Sequence, residues 1–321
     1  MKVLHLEAIN YPRDVISKLK KDFEFISHNE FGIANQTDLT VHLESNLYDI
    51  IFTRLGFYLD EKALSNQTQL KYIVTPTTGL NHINLDYTNK KSIRVISLKG
   101  ESLFLNEIQS TSEHVWALIL SLTKNIINQS NRTKNLKWGK EDKSMELNGR
   151  TIGIIGFGRL GKIISKYAKA FSMNVLINDI NLPSSKNISL DNLLKTSDII
   201  VLLIDYRKEN ENFIDKHKFS LMKDGVIFIN CSRGELINED DLLVFLNNSK
   251  IKGCGLDVLK NDSKWINRVP LTNKLIKYSQ LNDNLIITPH IGGYSDTSIY
   301  KTREFIVKKL YNKLDKIWEL K

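Results

Sequence analysis

Cysteine is almost absent from this chain: there are 2 in 321 residues. Cys231 and Cys254 lie in apolar, strand-like stretches, without the CxxC or Cys/His spacing of a metal or redox site. A disulfide framework is thereby excluded, and two buried thiols are expected. Long apolar runs are missing as well. The longest, Val115 to Leu122, falls well short of the about 18 residues that cross a bilayer, so it reads as a buried helix and no membrane partner is expected. The start, Met1-Lys2-Val3-Leu4-His5-Leu6, turns polar within a few residues and shows no signal-peptide pattern, so a cytoplasmic protein is expected. The sequence shows no internal repeat and no low-complexity tract, and no appended regulatory module is expected.

Negative charge is also in short supply, leaving a formal net charge of +9. The lysines are spread along the chain without the aromatic-basic alternation of a nucleic-acid surface, so no nucleic-acid partner is expected. A basic surface does attract small anions. With 41% hydrophobic and 25% charged residues, the composition is that of a globular protein. The length exceeds the roughly 100 to 200 residues of one domain, which predicts two domains with a cleft between them.

Short apolar runs alternate with helical patterns from the start: Lys2–Glu7, a helix near Pro12–Lys21, Phe23–Ser27, Tyr48–Arg54, Lys71–Pro76, a helix near Asn84–Lys91, then Arg94–Leu98. That alternation predicts a parallel α/β sheet. One long helix is predicted over about Ser102–Asn128, followed by a polar stretch to Gly149. Strands then recur at Thr151–Ile155, Asn174–Asp179, Asp198–Ile204, Gly225–Cys231, Lys252–Val258 and Asn284–Thr288, which describes a doubly wound sheet. From Ser298 to Leu320, Ile306, Leu310, Leu314, Ile317 and Trp318 recur at helical spacing. That helix is expected to pack back on the first domain. The expected fold is therefore two Rossmann-like or flavodoxin-like α/β domains, a discontinuous one of residues 1–100 plus 291–321 and a dinucleotide-binding one of 101–290.

Gly156-Phe157-Gly158-Arg159-Leu160-Gly161 follows a strand and opens a helix, the context that makes GxGxxG a specific dinucleotide signal. Gly156 permits the tight turn, Gly158 lets a pyrophosphate approach, and Gly161 lets helix and strand pack closely. The N–H groups at the helix start then face the phosphate charge. The next strand ends in Asp179, about 20 residues on, where a carboxylate accepts hydrogen bonds from ribose hydroxyls. A 2′-phosphate would be repelled there, and Ile180 and Asn181 offer no guanidinium to receive it, so the expected cofactor is NAD rather than NADP.

Three further segments stand at the ends of the last strands: Asn230-Cys231-Ser232-Arg233-Gly234, Gly255-Leu256-Asp257 running on to Asp262, and Thr288-Pro289-His290-Ile291-Gly292-Gly293. In this order, after the glycine motif, they resemble the D-isomer-specific 2-hydroxyacid dehydrogenase family, from about Tyr48 to Arg303. The resemblance implies hydride transfer between nicotinamide and C2 of a small 2-hydroxy or 2-keto acid. It gives Arg233 the substrate carboxylate and C2 oxygen, which suits a planar fork of donors. It makes His290 the general acid or base, a role that suits imidazole, and Asp262, where the family usually carries Glu, the partner that orients the ring. Ser232 and Asp257 are placed toward the cofactor. Thr75-Pro76-Thr77-Thr78-Gly79 matches the family's glycine loop and implicates Thr78 and Gly79 at the substrate carboxylate. A homodimer joined through the cofactor domain and the helix after Ser102 is also implied.

Two departures stand out. The segment Ser97 to Glu107 is longer than the family's usual loop and lacks its Asn-x-Pro pattern; Lys99 within it could meet a second anionic group of the substrate. Leu203-Ile204-Asp205-Tyr206 replaces the His-x-Pro turn that many members carry. A reading from another class, a dinucleotide-gated corepressor-like interaction protein, is disfavoured by the intact Arg233, Asp262 and His290. Phosphoglycerate oxidation is a lesser alternative, since members with that role often carry an added C-terminal regulatory domain.

Overall fold

The computed structural model describes residues 1–139, 143–266 and 268–319, and they form two compact units. The first comprises Met1–Ile108, Asp262–Val269 and Tyr294–Lys321; the second comprises Gln109–Asn261 and Pro270–Gly293.

In the first unit, β1 (Lys2–His5), β2 (Glu24–Ser27), β3 (Ile50–Phe52), β4 (Tyr72–Val74) and β5 (Arg94–Ile96) form a parallel sheet in the order β2-β1-β3-β4-β5. The central strands are apolar on both faces, as a sheet covered on both sides requires. Along β3, Ile50 and Phe52 point into one core and Ile51 into the other, the period of 2 that a pleated strand imposes. On the first face lie Val15 and Leu19 of helix Arg13–Asp22, with Ile306, Val307, Leu310 and Tyr311 of helix Asp296–Lys313. On the second lie Leu39 and Leu43 of helix Gln36–Ser45, which Asn35 starts with a capping box to Asp38. Helix Asp296–Lys313 thus packs on the first unit's sheet, although Ile317, expected in its apolar stripe, is exposed.

In the second unit, β6 (Thr151–Ile155), β7 (Asn174–Asn178), β8 (Ile199–Leu202), β9 (Val226–Asn230), β10 (Ile251–Leu256) and β11 (Leu285–Ile287) pair in parallel in the order β11-β10-β9-β8-β6-β7. The order reverses at β6, which opens a crevice at the carboxyl ends of β6 and β8. The predicted helix over 102–128 is three pieces, Ser102–Leu105, Ser110–Thr123 and Ile126–Lys134. Asn125 divides the last two by taking the left-handed conformation, φ 53°, which asparagine tolerates better than most residues. The middle piece puts Val115, Trp116, Leu118 and Ile119 in the core, so the longest apolar run of the chain is a buried helix face.

The end of β1 is polar and sealed. His5 is fully buried, stacked on Phe52 with centroids 4.6 Å apart, and its Nδ1 accepts from the Glu7 N–H at 3.1 Å. Glu7 in turn accepts from buried Arg303 of the helix Asp296–Lys313 at 2.6 Å. Burial, followed by repulsion from His28 and Arg303, holds the His5 pKa well below its ordinary value. A base depressed in the fold takes its proton more readily once unfolded, so acid favours unfolding. Below about pH 6.5 His5 should remove on the order of 1 kcal/mol of stability per pH unit until its folded pKa is reached. His5→Phe should flatten the fall in denaturation midpoint between pH 7 and 5, even if it lowers stability at pH 7; an unchanged slope would refute this.

Candidate active site

All the sequence-predicted residues of the second unit lie at the carboxyl end of one sheet. After β6, Gly156 takes φ 97°, and a Cβ there would sit 2.6 Å from the Leu203 carbonyl oxygen. A side chain at Gly161 would collide with the Gly156 carbonyl, while a Cβ at Gly158 would meet nothing within 4 Å. Gly158 caps helix Arg159–Ala170, whose first turn holds no acidic side chain. Arg159 and Leu160 are half-buried in that turn. The result is an open, electropositive helix start that admits a phosphate to the backbone. At the end of β7, half-buried Asp179 accepts from the Phe157 N–H at 2.6 Å and from the Asn181 N–H at 2.8 Å. The carboxylate thereby shapes the glycine loop, and each oxygen keeps a lone pair for a hydroxyl. These residues fit a dinucleotide: pyrophosphate at the helix start, ribose at Asp179.

At the end of β9, buried Asn230 ties the turn on both sides. Its Oδ1 accepts from the Ser232 N–H at 3.0 Å and its Nδ2 donates to the Arg233 carbonyl at 2.9 Å. Ser232 Oγ donates to the Leu202 carbonyl at 2.9 Å, joining the ends of β9 and β8. Arg233 is half-buried, and its Nη1 donates to the Ser232 carbonyl at 2.6 Å. Gly234 runs so close to Leu259 and Lys260 that any Cβ would collide with their backbone, so the residue after Arg233 must be glycine.

At the ends of β10 and β11, one carboxylate organises a whole turn. Asp257, only 2% exposed, accepts from Thr288 Oγ1 at 2.6 Å and the Ile291 N–H at 2.9 Å on one oxygen, and from the Gly292 N–H at 2.7 Å on the other. His114 Nε2 lies 2.9 Å from Thr288 Oγ1 and 3.3 Å from the same carboxylate. The Thr288 hydroxyl has a single proton, already given to Asp257, so His114 must donate through Nε2–H. Burial raises the Asp257 pKa, but hydrogen bonds from His114, Thr288 and Gly292 outweigh it and hold the group below the usual carboxylate range. Ser110 Oγ donates to the Gly292 carbonyl at 2.7 Å, and a Cβ on Gly292 would come within 2.8 Å of Asp257. The half-buried His290 sits in this clamp with φ 57°, a left-handed conformation that surroundings must enforce. The sequence motifs give no role to His114, which carries no linear signal because its partners are 143 and 174 positions away.

Thr78, Gly79, Lys99 and Asp262 belong to the first unit. After β4, the Thr77 hydroxyl donates to the Gly79 carbonyl at 2.8 Å, and Thr75 Oγ1 lies 3.0 Å from Thr77 Oγ1 and 3.2 Å from buried His82. That chain shapes the glycine loop and leaves Thr78 exposed at its tip. Exposed Lys99 follows β5. Asp262 opens a short turn whose next residue, Ser263, accepts from the Gly56 N–H at 2.8 Å. Ile266, further along the excursion 262–269, packs into the first unit's core. Asp262 therefore shares a unit with Gly79, whereas Arg233 and His290 share the other.

Comparison with known proteins agrees with this geometry. Residues 116–292 match the family model described as D-isomer specific 2-hydroxyacid dehydrogenase, NAD binding domain. The chain is 29% identical to a hydroxypyruvate reductase of Thermotoga maritima over 271 residues, covering 83% of this chain and 85% of that one. It is 31% identical over 254 residues to a D-3-phosphoglycerate dehydrogenase of Archaeoglobus fulgidus, covering 77% of this chain but 46% of that protein. Among solved structures, a D-lactate dehydrogenase from Aquifex aeolicus complexed with NAD and lactic acid superimposes with a TM-score of 0.83 at 32% identity, over 98% of this chain and 96% of that one. The chain belongs to the D-isomer-specific 2-hydroxyacid dehydrogenase family, and it is an NAD-dependent oxidoreductase that moves a hydride to or from C2 of a small 2-hydroxy or 2-keto acid.

Proposed function

We propose that Arg233 and His290 carry this reaction on short 2-keto acids and their D-2-hydroxy counterparts. Bound NAD supplies or takes the hydride. The chain's own part is to grip the carboxylate and to move one proton. Arg233 offers two parallel donors to the substrate carboxylate and draws electron density toward the C2 oxygen. His290 gives its proton to that oxygen in reduction and takes it back in oxidation. The observation that carries the reading is the His290 turn, held by Asp257 in a left-handed backbone conformation at the same carboxyl end of the sheet as Arg233 and the glycine loop. Such strain is kept where surroundings over-determine it, as at functional sites. Asp257 acts here as a positioning residue, with His114 and Thr288, while Gly156, Gly158, Arg159, Leu160, Gly161, Asp179 and Ser232 form the cofactor side. By resemblance, Thr78 and Gly79 donate to the carboxylate and Asp262 orients the imidazole.

The reading includes a homodimer and a cytoplasmic enzyme. Ile126, Ile127, Leu136 and Trp138, all after helix Ser110–Thr123, are exposed, the last two by 95% and 92%. A second copy covering them would remove that surface from water. Two free buried cysteines suit a reducing compartment.

A screen of short 2-keto acids with NADH, followed by nicotinamide absorbance, tests the activity. Arg233→Lys should lower kcat/KM about 10- to 100-fold, the loss of one charged hydrogen bond. In the same assay Asp179→Ser should narrow the preference for NADH over NADPH by about ten-fold and leave the keto-acid KM alone. Wild-type rates from Arg233→Lys, or no reduction of any keto acid, would sink the assignment. Asp257→Asn replaces an acceptor with an amide that faces N–H donors. It should cost about 2 kcal/mol, a fall of roughly 4 to 8 °C in Tm. It should also lower kcat far more than it changes the KM for NADH. An unshifted Tm with normal kcat would show that the turn does not depend on the carboxylate.

A further inference from the structure

The open edge of the first unit's sheet carries a groove that the reading above does not use. β5 is the last strand of its sheet, so one side of its backbone has no strand partner among the described residues. Beside it lies an open surface groove of about 610 Å³. Leu80, Leu85 and Val95 give it an apolar lining, Asn89 adds a polar group, and Arg94 and Lys99 add two cations. No carboxylate lines it among the described residues. Nearby lysines are neutralised, Lys71 by Asp49 at 3.5 Å and Lys309 by Glu101 at 2.5 Å. Among the described residues Arg94 and Lys99 have no such partner.

We propose that this groove binds a small organic anion with an apolar body, such as an arylalkyl or branched-chain monocarboxylate, at a site separate from the Gly79 loop. The apolar lining takes the body, and the two cations take the carboxylate. A second copy of the chain suits the groove poorly, because a symmetric contact would bring a second Arg94 and Lys99 against the first pair. Leu80 follows Gly79 directly, so an occupied groove bears on the loop and should alter the KM for substrate. That kinetic consequence rests on reading Gly79 as part of the substrate site; the binding itself does not.

The probe is 3-phenylpropanoate, which has no 2-oxo group to reduce, titrated by saturation-transfer NMR with NADH present. At about 0.3 to 0.4 kcal/mol per heavy atom, its Kd should be on the order of 1 mM. Arg94→Gln/Lys99→Gln changes only exposed side chains and should weaken binding at least about ten-fold, equivalent to ~1.4 kcal/mol. Arg233→Gln should change it by less than about two-fold. Binding lost in Arg233→Gln but kept in the double variant would assign the probe to the substrate site and overturn the proposal. Equal binding by all three proteins, or none by the wild type, would overturn it as well. So would a wild-type mass that falls when the probe is added, since a second copy would then be the natural occupant. Failure of Arg233→Lys in the kinetic assay leaves these outcomes untouched, so the two readings fail separately.

Discussion

The carboxylate of Asp257 is the constraint on which the second unit's chemistry depends. It is almost fully removed from water, and an ionised group there is tolerated only because backbone amides, a hydroxyl and an imidazole replace its hydration. The satisfaction is mutual, because the same bonds fix the path of residues 288–292. His290 lies inside that path, so its backbone course follows from a buried electrostatic balance. Gly292 completes the arrangement, since a methyl group at that position would press on the carboxylate.

Other strand-end loops follow the same logic of backbone held by polar side chains. Asn230 braces the turn before Arg233, Asp179 braces the glycine loop, and the Thr77 hydroxyl braces Gly79 in the other unit. In each case a side chain at a strand end satisfies main-chain groups that the sheet no longer pairs. Loops of this kind present donors outward while staying rigid, which transition-state stabilisation requires of them. Glycines occur where two such loops touch, at Gly156 against Leu203 and at Gly234 against Leu259.

Much of this was legible in the sequence, for a physical reason: strands, glycine turns and strand-end polar residues are local patterns. The runs at Thr151–Ile155 and Asn174–Asp179 and the glycine motif between them read directly, because period, turn and helix start fall within about 30 residues. The family resemblance drew on the same local motifs. What escaped depends on contacts between distant positions. His114 looks like any helical histidine until Thr288 and Asp257 fold against it. The break at Asn125 needs a left-handed backbone that composition does not announce. Helix Gln36–Ser45 buries Leu39, Thr40 and Leu43, too few apolar residues to mark a period. The excursion 262–269 into the first unit is invisible without the packing of Ile266.

The buried pair of Glu7 and Arg303 has a bearing on how the protein is made. Residues 296 positions apart must meet to close the end of β1, and the same helix supplies Ile306, Val307, Leu310 and Tyr311 to the face of the first sheet. During synthesis the first unit therefore waits for helix Asp296–Lys313, with one face of its sheet covered only in part, by helix Arg13–Asp22, while the second unit has all its strands by Ile287. Long loop closures are slow and leave apolar surface exposed meanwhile. The unit that begins first on the ribosome is thus the one that finishes last. Nascent chains are most exposed to aggregation along the β5 side of the face that helix Asp296–Lys313 finally covers.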